Sequence, residues 1–69
     1  MTTLTFFANG KSREIASGVT IADMLAQAGL QTMQVVVEYN GQPLARERFA
    51  HTHIAAGDRV EIAQMVGGG

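Results

Sequence analysis

The chain has 69 residues, of which 46% are hydrophobic and 16% charged. The charged share lies below the usual ~25%, so the composition describes a folded globule and excludes a disordered polar segment. A single domain of this length buries only roughly 60% of the surface its unfolded chain exposes, leaving room for one small core. Five basic residues are scattered over the sequence and the net charge is -1. Neither nucleic acid nor an anionic membrane is an expected partner of such a charge pattern. With no cysteine, disulfides, a thiolate nucleophile and a zinc–thiolate site are all excluded. No apolar run approaches a membrane span and no leader pattern opens the chain, which points to a cytoplasmic protein.

Residues Thr3 to Ala8 are β-branched and aromatic, and they run into Asn9-Gly10. Asn-Gly accepts the two positive φ angles of a type I′ turn, so a hairpin is expected, with Lys11 to Ala16 as its second strand. Alternation places Leu4, Phe6 and Ala8 on one face and Thr5 and Phe7 on the other, with Ile15 inward from the second strand.

Ser17-Gly18 breaks the pattern. Thr20-Ile21-Ala22-Asp23 then fits a helix start with Thr20 as N-cap and Asp23 at the third helical position. Val19 and Met24 suit a hydrophobic staple. Gly29-Leu30 suits a Schellman stop against Leu25. A helix of roughly eight residues is marginal alone and must lie on a sheet. Its buried stripe is expected to be Ile21, Leu25 and Ala28, with Met24 at the margin.

Val35 to Tyr39 is the clearest strand, and it too meets an Asn-Gly pair, Asn40-Gly41. Pro43 cannot donate to a ladder, so Gln42 to Ala45 reads as an edge strand or loop arm. Arg46 to Ala50 suits a helical turn anchored by Phe49. Ala56-Gly57-Asp58 turns the chain into a last strand, Arg59 to Val66, with Val60 and Ile62 inward and Glu61, Ala63 and Met65 outward. The order ββαββ gives an α+β domain over residues 1–66: a ubiquitin-like β-grasp with a mixed four- to five-stranded sheet and one main helix on one face. Element order alone leaves a split or ferredoxin-like arrangement open. Residues 67–69 are set apart as a glycine tail.

Together these segments resemble the ThiS family, the small sulfur-carrier proteins of thiamine biosynthesis. The likeness rests on the strand ending in Asn9-Gly10, the Thr20 to Leu25 helix start, the Gly29-Leu30 stop, Val35 to Gly41, Gly57 to Ile62, and the ending Val66-Gly67-Gly68-Gly69. The family ends in a Gly-Gly pair, so Gly67 is an additional spacer. The resemblance implies that the Gly69 carboxylate is adenylated with ATP by an E1-like activating enzyme of the ThiF type. A sulfur donor protein then converts it to a thiocarboxylate, which delivers sulfur to a thiazole synthase of the ThiG type. Gly67 and Gly68 let the tail thread a narrow active site. It also implies that the chain is a protein co-substrate, not an enzyme, with no cofactor of its own and ATP used by the partner. No phosphate-binding loop or nucleophile–base pair stands in the sequence against that reading.

Two alternatives stay open at this stage. The same carrier chemistry serves molybdopterin or amino-acid synthesis, and a ubiquitin-like module binds or conjugates through its terminus without sulfur. Phe7, Val36, Ala63 and Met65 are outward and apolar, which nominates them as a partner-docking surface. His51 and His53 lack companions for a ligand set, so no metal site is expected. Arg46-Glu47-Arg48 reads as a solvated turn.

Overall fold

A computed structural model describes residues 2–65. Five strands form one sheet in the order β2-β1-β5-β3-β4, where β1 is Thr3–Ala8, β2 Lys11–Ala16, β3 Val35–Tyr39, β4 Gln42–Leu44 and β5 Arg59–Gln64. The central pair β1–β5 is parallel and the other three pairings are antiparallel. A helix α1, Ile21–Gln27, crosses one face between β2 and β3. This is the expected ββαββ grasp, and no second helix of the ferredoxin-like alternative lies among the described residues.

The two hairpins form because both Asn-Gly pairs adopt left-handed φ angles, 52° and 80° at Asn9-Gly10 and 51° and 85° at Asn40-Gly41. These match the right-handed twist of the flanking strands. In α1 the Asp23 N–H donates to Thr20 Oγ1 at 3.1 Å and the Thr20 N–H to Asp23 Oδ2 at 3.1 Å, a reciprocal capping box. At the far end Leu30 N–H reaches Leu25 C=O at 2.9 Å and Gly29 N–H reaches Ala26 C=O at 3.0 Å. With Gly29 at φ 75°, this is the Schellman pair of bonds. Thr20→Ala removes the box and is expected to cost about 1 kcal/mol; urea unfolding followed by circular dichroism measures it, and an unchanged midpoint would show that the cap is dispensable.

The core joins Phe6, Ile15, Ile21, Met24, Leu25, Val35, Val37, Phe49, Ile54 and Val60. The helical stripe differs from expectation: Met24 is buried and Ala28 is exposed. The seven-residue helix ends at Gln27 and Ala28 is its C-cap, so the position a full turn beyond Met24 and Leu25 has already left the sheet. Phe49 anchors a 3-10 turn over Arg46–His51 as expected. A further 3-10 turn at Thr32–Gln34 was not foreseen. It is held from outside by Arg46, whose Nε donates to Thr32 C=O at 2.8 Å and whose Nη2 reaches Met33 C=O at 3.2 Å. Arg46 is therefore a brace for the connection into β3. The last strand stops at Gln64, short of the expected Val66, which lies outside the described residues.

Candidate functional site

The terminal glycines follow β5, so what fixes β5 fixes the point from which they start. Two asparagines do this by the same device. The Asn9 side chain runs alongside Ile62, its Oδ1 accepting from the Ile62 N–H at 2.7 Å and its Nδ2 donating to the Ile62 C=O at 3.2 Å. It continues the β1–β5 ladder past the point where the β1 backbone turns away. On the other flank Asn40 Oδ1 accepts from the Arg59 N–H at 2.8 Å, and Asn40 Nδ2 donates to Asp58 Oδ1 at 3.2 Å. Each hairpin turn thus also clamps the last strand. Sequence reasoning assigned these pairs to turn geometry alone, since nothing local links Asn9 to a residue 53 positions away.

Asp58 gathers the start of β5. It accepts from the Tyr39 hydroxyl and from the Ala55 N–H at 2.8 Å as well as from Asn40. Partial burial alone would raise its carboxyl, but these hydrogen bonds, led by that of Tyr39, outweigh burial and hold it below its ordinary 3.8. Tyr39 is pushed up to about 12, by burial first and then by the hydrogen bond to, and charge of, Asp58. Both shifts favour the pair of neutral phenol and ionised carboxylate. The Asp58 contribution is present above its unfolded value and is lost as pH falls through the folded one; the Tyr39 contribution is present below pH 10 and is lost as pH rises through about 12. Tyr39 is the one tyrosine and the chain has no tryptophan, so ultraviolet titration reads it without interference. The phenol is expected to ionise near 12 and, in Asp58→Asn, at a lower pH, with the part due to burial retained. An ordinary value in the parent protein would contradict this linkage.

The outward face carries the nominated docking residues. Val36 and Ala63 stand directly opposite each other across β3 and β5. Met65 continues the row, its N–H donating to Gln34 C=O at 2.8 Å. Val36 and Met65 are each 49% exposed, so these three form one apolar patch at the end of β5. Phe7 does not join it. Phe7 lies opposite Arg59, and the step from 59 to 63 along β5 is on the order of 13 Å. Glu38 and Glu61, facing each other across β3 and β5, stand between. His51 and His53 are exposed, and among the described residues no group of three or more metal-ligating side chains comes together. Gly67, Gly68 and Gly69 lie outside the described residues.

The five-strand order with its parallel β1–β5 pair and the single α-helix on one face define a ubiquitin-like β-grasp domain. The ThiS family model matches residues 7–69, the three glycines included. The chain belongs to the ThiS family. Its fold superimposes on the crystal structure of the thiamine biosynthesis protein ThiS from Geobacter metallireducens with a TM-score of 0.81 at 33% identity, covering 96% of this chain and 100% of that one. The sulfur carrier protein ThiS of Bacillus subtilis is 38% identical over 50 residues, which is 72% of this chain and 76% of that protein. A thiazole synthase of Paramagnetospirillum magneticum is 30% identical over 61 residues. These are 88% of this chain but only 19% of that enzyme's length.

Among the described residues no helix is long and apolar enough to cross a membrane.

Proposed function

We propose that the chain is a sulfur carrier of thiamine biosynthesis, with the Gly69 carboxylate as its chemical group. The observation that carries this reading is membership of the ThiS family across residues 7–69, on a fold whose last strand is clamped from both sides. A carboxylate is a poor acyl donor because its oxygen does not leave. Joining it to AMP from ATP, with loss of pyrophosphate, supplies a leaving group. Sulfide-level sulfur from a donor then forms the C–S bond as the C–O bond to AMP breaks, releasing AMP and giving a thiocarboxylate; a persulfide donor forms an acyl disulfide first, which a thiol reductant cleaves to the same thiocarboxylate. The chain has no cysteine that could compete for the activated carbon.

The described structure ends at Met65, bonded to Gln34. Four further residues, fully extended, span on the order of 13 Å. That reach suits an active site set back from a partner's surface, and glycine backbone passes where a Cβ would not. The chain serves as a co-substrate. A ThiF-type activating enzyme provides ATP binding and catalysis, a sulfur donor protein the sulfur, and a ThiG-type thiazole synthase receives it. The last partner is supported by the likeness to a segment of a thiazole synthase.

The apolar patch of Val36, Ala63 and Met65 adjoins the start of the tail and is the docking surface of this reading. Met65→Glu places a charge at the end of the patch nearest the tail and is expected to weaken binding to the activating enzyme by roughly tenfold or more, as loss of an interface anchor does. Phe7→Glu, off the patch, is expected to have a smaller effect. Calorimetric titration of each variant against the enzyme tests this, and equal losses would place Phe7 in the same interface.

A further inference from the structure

On the helix side of the sheet, between the tip of the first hairpin and the C-terminal end of α1, lies an open-sided groove of about 650 Å³. Met24, Leu30 and Ile62 give it an apolar floor, and Lys11 and Arg13 form its hairpin wall. The cations are there by register. Lys11 faces Ala8 and Arg13 faces Phe6 across the hairpin, so both share the helix-side face with those inward residues. Glu14 also borders the groove, but its partner is Thr5, which assigns it to the opposite face.

The third wall is β5, and its backbone is incompletely used. Asn40 N–H donates to Arg59 C=O at 2.8 Å and Met65 N–H to Gln34 C=O at 2.8 Å, so positions 59, 61, 63 and 65 bond towards β3. Positions 60, 62 and 64 therefore point towards β1. There the Asn9 N–H takes the Val60 C=O at 2.9 Å, and the Asn9 side chain takes both backbone groups of Ile62. Next in line is Gln64. The chain has by then turned at Gly10 into β2, so Gln64 faces a lane that no strand occupies among the described residues. A strand edge with an empty lane, an apolar floor and two cations at the lip is the arrangement by which extended peptides are recognised through strand addition.

We propose that this groove takes a short extended segment of a partner protein, which adds beside β5 at Gln64, sets an apolar side chain on Met24, Leu30 and Ile62, and presents an acidic side chain to Lys11 and Arg13. The apolar contact holds the segment, while the exposed cations select the sign of its charge. This binding goes beyond the carrier chemistry and needs neither ATP nor the terminal carboxylate, so a chain lacking Gly69 binds equally.

The test is titration of the ¹⁵N-labelled full chain with an acetylated and amidated Asp-Ser-Val-Ser-Asp peptide, whose Asp and Val side chains share one face of an extended strand. Saturable shifts are expected at the amides of Leu30, Ile62 and Gln64 and not at Val36 or Ala63. The double variant Lys11→Glu, Arg13→Glu is expected to bind roughly tenfold more weakly with its amide spectrum otherwise preserved. Should that variant lose its fold, Lys11→Gln with Arg13→Gln provides the same comparison. Absence of saturable shifts, shifts on the Val36–Ala63 face, an equal response to Lys-Ser-Val-Ser-Lys, or undiminished affinity of a folded double variant would each overturn the proposal.

Discussion

Leu25→Ala is expected to destabilise the domain by about 2–5 kcal/mol. Leu25 is fully buried, as is Ile21 beside it, and the two carry most of what fastens α1 to the sheet. A chain of 69 residues has a total stability on the order of 3–10 kcal/mol, so one truncation removes a large share of it. The surroundings resist collapse into the cavity, because Val35, Val37 and Val60 are themselves fully buried on strands fixed by their ladders. Urea unfolding of parent and variant gives the difference. Met33→Ala, at a residue 70% exposed, serves as control and is expected to stay within about 0.5 kcal/mol. A loss below about 1 kcal/mol for Leu25→Ala would mean that the helix is not the keystone of this core.

The elements most legible in the sequence are those whose ends are written in adjacent residues. Asn9-Gly10 and Asn40-Gly41 demand left-handed backbone, and so the strands on either side meet these turns where expected, although β4 ends at Leu44, one residue short of Ala45. Thr20 with Asp23, and Gly29 with Leu30, mark both ends of α1 in the same way. The misplaced stripe had a local cause too: a helix one residue shorter than expected leaves Ala28 as a cap and draws Met24 into the core. What stayed hidden depends on distant register. The Asn9 clamp on Ile62 exists only once β1 and β5 lie parallel with Phe7 opposite Arg59. That same offset separates Phe7 from Val36, Ala63 and Met65. Alternation tells which face a residue occupies, but not where along the sheet it lies. The brace from Arg46 to the 3-10 turn at Thr32–Gln34 is hidden for the same reason.

Deletion of Gly69 is expected to abolish sulfur acquisition while leaving stability unchanged. The core among the described residues is built from residues 6–60, which the deletion leaves in place, yet loss of Gly69 draws the terminal carboxylate back by one residue, on the order of 3.5 Å. Misplacement of a reacting atom by even 1 Å can cost about a hundredfold in rate, and a shift of this size leaves the carboxyl carbon out of line with the phosphate of ATP. Because the sequence carries Gly67 ahead of Gly68, the shortened tail still ends in a Gly-Gly pair, so the variant separates the effect of reach from that of residue type. Unaltered unfolding together with a silent terminus is the expected pair of results. Undiminished loading of the shortened chain would show that reach is not what the tail provides.

The most direct measurement is the intact mass of the untagged full-length chain after incubation with a ThiF-type activating enzyme, ATP and a sulfur donor, followed by fragmentation to locate any change. A gain equal to one oxygen-to-sulfur exchange, confined to Gly69 and dependent on ATP, is the predicted result. An unchanged mass, or an isopeptide-linked adduct in place of the thiocarboxylate, would contradict the sulfur-carrier assignment.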